Sequence, residues 1–178
     1  MEFGGPWRVA LVDDLERVQP CDRELQLGDA GRSAYVISRT GRDQVRHALR
    51  ISAPGGPSGV QARSLLLDGD RAVVAIGSWL CAVDLPLLGV EWSLEVDWAC
   101  CFGVYRAEDE YLSHGELSIR RISRDGKLRW QAAGRDIFTG ELVVEGDFAV
   151  VEDFDHNRYR IDLSTGKVAP INDGKDWR

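Results

Sequence analysis

The chain of 178 residues is poor in the features that usually announce a function. It has four cysteines, Cys21, Cys81, Cys100 and Cys101, with irregular spacing and no CxxC pair. A disulfide framework, a zinc knuckle and a dithiol redox centre are therefore excluded as organising principles, and the thiols read as reduced. Long apolar runs are missing too. No stretch of about 18 apolar residues is present to span a bilayer, and the opening MEFGGPWRVALVDDLERVQP lacks the basic and apolar blocks of a secretory signal. The expectation is a cytoplasmic protein that does not enter the membrane. Only three lysines, Lys127, Lys167 and Lys175, stand among 22 basic residues, and 29 acidic residues leave a net charge of −7. Such a surplus of negative charge disfavours binding to phosphate backbones. The motifs GxSxG, HExxH, GxGxxG and the P-loop are all absent, so no catalytic set is legible at diagnostic spacing.

Helical periodicity is scarce as well. What the chain has is a series of short apolar runs broken by Gly, Asp and Ser, and these predict strands at Ala34–Ser38, Ser64–Leu67, Ala72–Ile76, Trp98–Tyr105 and Phe148–Val151. Ala72–Ile76 and Phe148–Val151 are apolar at every position, which predicts sheets stacked between two neighbouring sheets.

The runs recur. Segments beginning at Gly69, Glu108 and Gly146 share one grammar: an acidic or glycine turn, an apolar strand, a polar turn, a strand ending in Asp or Ser, a glycine turn and a further strand. Their starts lie 39 and 38 residues apart, and Asp84, Ser123 and Asp162 keep a spacing of 39. A period of about 40 residues built from short strands is the pattern of propeller blades. A weaker copy starts at Gly31, with the breaker-rich segment 53–59 as an internal loop. The resulting organisation is one domain over residues 1–178, with clear units at 69–107, 108–145 and 146–170 and a weak unit at 31–68. The fold class is all-β and propeller-like, about four blades of antiparallel strands in a closed ring or an open arc.

At Ala82-Val83-Asp84 with Gly89 and Trp92, at Asp125–Trp130, and at Asp162–Lys167, the chain resembles the blade repeat of quinoprotein-like and WD-repeat-like β-propellers. Ser123 stands for the repeat's Asp, and Pro170 for its third Trp. The resemblance implies the fold. It does not imply the cofactor, because members that hold pyrroloquinoline quinone need about eight blades and this chain has room for about four.

Several residues are candidates for function. Glu152-Asp153-Phe154-Asp155-His156-Asn157 alternates Asp153, Asp155 and Asn157 as calcium loops do. Arg158 occupies the position where such loops carry Gly, and the same residues also suit a solvated turn. Glu108, Asp109 and Glu110 make a second acidic turn. Placed on one edge with Glu152, Asp153 and Asp155, they would form an anionic patch for a basic partner. Arg32, Arg39, Arg42, Arg46 and Arg50 make residues 31–60 locally basic, yet without aromatic interleaving nucleic acid is disfavoured. His47 alternates with apolar residues and reads as a core histidine, whereas His114 and His156 read as isolated turn residues. Trp79, Trp92, Trp98 and Trp130 are expected in the core, packed between blades with the indole N–H on a neighbouring turn. A strand Trp7–Val12 is expected beside the last unit, closing the ring.

Together these readings favour a non-enzymatic protein-binding module with a basic protein partner, in its sharpest form a cytosolic bacterial inhibitor or immunity-type protein. Self-association is a further expectation, since unpaired edges invite it. The reading from another class is a metal-dependent hydrolase or lyase using the turn carboxylates, with calcium as the metal.

Overall fold

The computed structural model describes residues 8–13, 21–29, 33–40, 46–55 and 59–171. Sixteen strands in these segments form four sheets of four. Among the described residues no helix is long and apolar enough to cross a membrane.

The first sheet holds β1 (Arg8–Asp13), β2 (Arg23–Gln26), β3 (Ser33–Thr40) and β4 (Arg46–Ala53), in the order β1-β3-β4-β2. The second is a meander of β5 (Leu65–Asp68), β6 (Arg71–Ile76), β7 (Trp79–Asp84) and β8 (Gly89–Glu95). The third repeats it with β9 (Cys101–Ala107), β10 (Glu110–Gly115), β11 (Ile119–Ile122) and β12 (Leu128–Ala132). The fourth follows with β13 (Val143–Glu145), β14 (Phe148–Glu152), β15 (Arg158–Asp162) and β16 (Val168–Pro170).

The residues where the repeat begins mark one recurring turn. Asp68 pairs with Arg71, Ala107 with Glu110 and Glu145 with Phe148, leaving two-residue loops whose first members are Gly69, Glu108 and Gly146. All three adopt positive φ, at 64°, 57° and 57°. A positive first residue matches the twist of the flanking strands, and glycine takes it without steric cost. Each sheet thus starts one strand before the repeat unit read from sequence.

Apolar residues on both faces of a strand bury both faces. On β6, Ala72, Val74 and Ile76 pack toward the first sheet with Tyr35, Ile37, Leu49 and Ile51. Val73 and Ala75 pack toward the third with Val104, Tyr111 and Ile122. On β10 and β11, Leu112 and Ile119 turn instead toward the fourth sheet, meeting Ala149, Val151 and Ile161. Each fully buried Val, Leu or Ile contributes about 1.5–3 kcal/mol, so these three seams carry the fold.

Tryptophans staple the seams. Trp92 on β8 donates its indole N–H to the Arg124 carbonyl at 3.1 Å, and Trp130 on β12 donates to Leu163 at 2.8 Å. Each ring lies on a positive-φ glycine of the next sheet, Gly126 and Gly166 respectively, where a Cβ would stand 2.7 Å from ring carbons. Trp79 is half-buried beside the first seam. Trp98 departs from expectation: the strand begins at Cys101, and Trp98, in the preceding loop, is 86% exposed. Trp7 and Trp177, with Arg32 and Arg42, lie outside the described residues.

The two ends differ from the middle. β1 pairs antiparallel with β3 in the first sheet, not with the last unit, so the expected closure by this strand is corrected. The fourth position of that sheet is filled by β2, which precedes β3 in the chain and runs parallel to β4. On the fourth sheet, Ala149 and Val151 face the seam while Phe148 and Val150 are only half-buried. The Arg160 guanidinium lies 4.0 Å from the Phe148 ring centroid and covers it. The reading of Phe148–Val151 as sandwiched on both faces is thereby corrected. Among the described residues the apolar clusters join the first sheet to the second, the second to the third and the third to the fourth, and none joins the first to the fourth.

Candidate functional site

The two acidic turns lie at opposite ends of the sheets. Glu108, Asp109 and Glu110 stand where β9 turns into β10, at the start of a second strand. Glu152, Asp153, Asp155 and Asn157 stand at the finish of one, where β14 turns into β15. A strand of five or six residues separates these ends by roughly 15–20 Å. The single anionic edge expected from the sequence does not form. The cause is one of register, since Glu108 is the structural equivalent of Gly146, seven residues before Asp153.

At the first end the carboxylates are already paired. The Arg121 guanidinium donates to Glu110 at 2.6 Å, to Glu108 at 2.8 Å and to the Leu163 carbonyl of the fourth sheet at 2.6 Å. Arg129 adds a second bond to Glu110 at 2.8 Å. Burial acts to raise the Glu110 carboxyl, but Arg129 and Arg121 outweigh it and hold the group below its ordinary range. These contacts fasten the third sheet to the fourth. Asp109 is exposed.

At the other end Asp153 is fully buried. Its oxygens accept from the Asn157 backbone N–H at 2.9 Å, from Asn157 Nδ2 at 3.1 Å and from the Tyr159 hydroxyl at 2.6 Å. Against the desolvation that would raise it, Tyr159 and Asn157 keep its carboxyl low. The alternation of Asp153 and Asn157 is accounted for by this turn, in which His156 takes φ 63°. Asp155 points into solvent, and the exposed His156 Nδ1 lies 2.7 Å from Glu152. Among the described residues no three His, Cys, Asp or Glu side chains gather closely enough to hold a metal ion.

The same end of the sheets presents apolar side chains that the sequence reading missed. Trp98 is 86% exposed, Phe154 63% and Leu117 41%. They are held by fixed backbone. Asp97, buried beneath Trp98, accepts from Ala99 N–H at 2.9 Å, Leu117 N–H at 3.0 Å and Ser118 N–H at 3.1 Å. One carboxylate thus locks the loop before β9 to the turn between β10 and β11. The chain of bonds continues sideways: Phe138 N–H donates to Glu116 at 2.7 Å, and Phe154 N–H to Ile137 at 2.8 Å. Trp98, Leu117 and Phe154 therefore sit on one hydrogen-bonded frame, at the end of the sheets where the strand ends and loops also carry Glu95, Glu116, Asp136, Glu152 and Asp155 together with Arg120, Arg135 and Arg158. The signal for this in the sequence was Asp97-Trp98-Ala99, an Asx-type turn. Extending the following strand back to Trp98 concealed it.

The other two histidines also differ from expectation. His47 is part-exposed, 3.6 Å from Asp22, rather than a core residue. His114 is no turn residue but lies on β10, 4% exposed.

Neither a protein-family model nor a curated protein sequence matches the chain. Among solved structures it is similar to BamB from Moraxella catarrhalis, with a TM-score of 0.59 and 12% identity over 82% of this chain and 50% of that one. It is similar also to the computationally designed Ika4 protein, with a TM-score of 0.53 and 11% identity over 65% of this chain and 76% of that one. The N-terminal domain of Nup159 follows with 0.51 and 15%, over 62% and 33%. The chain spans half the length of the BamB chain it matches. With four four-stranded sheets, these likenesses establish a divergent propeller-like fold, as the repeat implied.

Proposed function

We propose that the chain is a non-enzymatic protein-binding module whose Trp98, Leu117 and Phe154 end docks a partner protein. The observation that carries this reading is Trp98, a large aromatic left 86% exposed on a loop that a buried carboxylate holds rigid. Aromatic side chains bury about 150–250 Å² and dominate interface energetics, and a pre-ordered loop spares the entropy of fixing them. A central apolar cluster with a polar rim is the usual anatomy of such a surface.

The rim supports a partner with basic surface. Glu95, Glu116, Asp136, Glu152 and Asp155 outnumber Arg120, Arg135 and Arg158 at this end of the sheets, and the whole chain carries −7. Opposite charge on the partner would speed encounter and select against acidic competitors. A cytosolic inhibitor covering a basic enzyme or toxin is the sharpest form of this reading.

The test is affinity capture from an extract of the source cells with the wild-type chain and with Trp98→Ser. Because Trp98 contributes little to the core, the variant is expected to melt within about 0.5 kcal/mol of wild type. The expected result is a stoichiometric protein retained by wild type at low salt and lost with Trp98→Ser. Equal retention by both chains would overturn the assignment of this surface.

A further inference from the structure

A cleft of about 570 Å³ opens at the same end of the sheets, where the residues leading into β5 and β13 approach β9 and β10. This volume lies within the range of roughly 300–1,000 Å³ typical of small-molecule sites. Three sheets supply its parts. Arg63, ahead of β5, forms one wall, and Thr139 and Glu141, ahead of β13, form another. Phe102 and Tyr105 on β9 and His114 on β10 make an aromatic floor.

The wall at Arg63 is built with care. Val104 N–H donates to the Arg63 carbonyl at 2.9 Å, and Gly103 lies so close that a Cβ there would stand 2.4 Å from the Arg63 Cβ. The guanidinium is thereby set 5.0 Å from the centroid of the Tyr105 ring, a cation–π geometry. Arg63 is exposed and makes no ion pair within the described residues; Glu141, also exposed, likewise has none. His114 closes the floor. His114 is 4% exposed, its ring meets Phe102 edge-on at 5.4 Å, and its buried Nε2 has no hydrogen-bond partner.

We propose that this cleft binds a free aromatic amino acid, with its carboxylate on Arg63, its ammonium on Glu141 and its ring against Phe102, beside His114. One cation from the approach to the second sheet and one anion from the approach to the fourth, both lining the cleft and neither in an ion pair among the described residues, match a zwitterion better than a singly charged ligand. The aromatic floor selects the side chain by stacking and edge-to-face contact. No bond is made or broken. The site is separate from the Trp98 surface and does not rest on a protein partner.

Histidine NMR tests it directly, because the chain has three histidines and the exposed His156 and part-exposed His47 are assigned by His156→Gln and His47→Gln. The probe is L-phenylalanine titrated to tens of millimolar, followed on the His114 Cε1–H resonance. Saturable movement of that resonance is expected, with 3-phenylpropanoate and phenethylamine each binding at least tenfold more weakly. Arg63→Gln is expected to weaken L-phenylalanine and 3-phenylpropanoate while leaving phenethylamine unchanged, and Glu141→Gln to do the converse. An unmoved His114 resonance would overturn the proposal, and so would equal binding of all three probes.

Discussion

Gly166 and Gly146 allow the contribution of the tryptophan staple to be isolated from that of backbone strain. Both belong to the fourth sheet and both have positive φ, 72° and 57°. An alanine at either position pays the left-handed penalty, about 1–2 kcal/mol. They differ in what the new methyl meets. At Gly146 nothing lies within 4 Å, whereas at Gly166 the Cβ would stand 2.7–2.9 Å from Cδ2, Cγ and Cε3 of Trp130. That indole is not free to retreat, because its N–H bonds the Leu163 carbonyl at 2.8 Å across the seam. Overpacking of this kind adds about 1–3 kcal/mol. Gly146→Ala is therefore expected to cost about 1–2 kcal/mol and Gly166→Ala about 2–5 kcal/mol, with each kcal/mol lowering Tm by about 2–4 °C for a chain of this size. Urea unfolding followed by far-ultraviolet circular dichroism measures both. In a Trp130→Leu background the second obstacle is gone, so the cost of Gly166→Ala is expected to fall to that of Gly146→Ala. If Gly166→Ala costs no more than Gly146→Ala, or if its cost survives Trp130→Leu, the staple does not join the sheets as argued.

Three other perturbations separate structural from solvent-facing groups. Arg121→Gln removes the side-chain donor from the Leu163 carbonyl and one of the two donors from Glu110, Arg129 remaining, and is expected to cost about 1.5–3 kcal/mol in the same unfolding assay. Glu108→Gln, on a side chain 73% exposed, should change stability by less than about 0.5 kcal/mol. Burial pushes the His114 imidazole down from 6.5 to about 4, so the folded state holds it neutral. Its contribution is complete above pH 6.5 and is lost as the unfolded chain takes up a proton between pH 6.5 and about 4, amounting to about 3 kcal/mol. His114→Gln is expected to flatten that part of the stability profile. Burial likewise pushes the Cys81 and Cys100 thiols up to about 12 and Cys101 higher still, so a thiol reagent at pH 8 should modify Cys21 alone in the native protein and all four residues after denaturation.

Much of the architecture was legible before any coordinates. The repeat starts at Gly69, Glu108 and Gly146 are turn positions with one backbone conformation, and such positions leave a local mark because few residues tolerate positive φ. Trp92 and Trp130 kept their spacing because each must reach the glycine turn of the next sheet. The uniformly apolar run Ala72–Ile76 of β6 announced a sheet covered on both sides. Phe148–Val151 gave the same signal and was misleading, because the pattern of one strand does not say whether a neighbouring sheet is present.

Local pattern alone determined that the chain is all-β, that its strands recur with a period of about 40 residues and that turns, not helices, connect them. Tertiary structure decided the rest. It filled the fourth position of the first sheet with β2 from earlier in the chain, a choice made by pairing partners distant in sequence. It sent the acidic turns to opposite ends of the sheets, tied Glu108 and Glu110 into a seam, and buried His114 with Arg63 and Glu141 on either side. Turn chemistry acts between residues a few positions apart and is written in the sequence at that range. Which side chains share a surface depends on strand register and sheet stacking, summed over the whole fold.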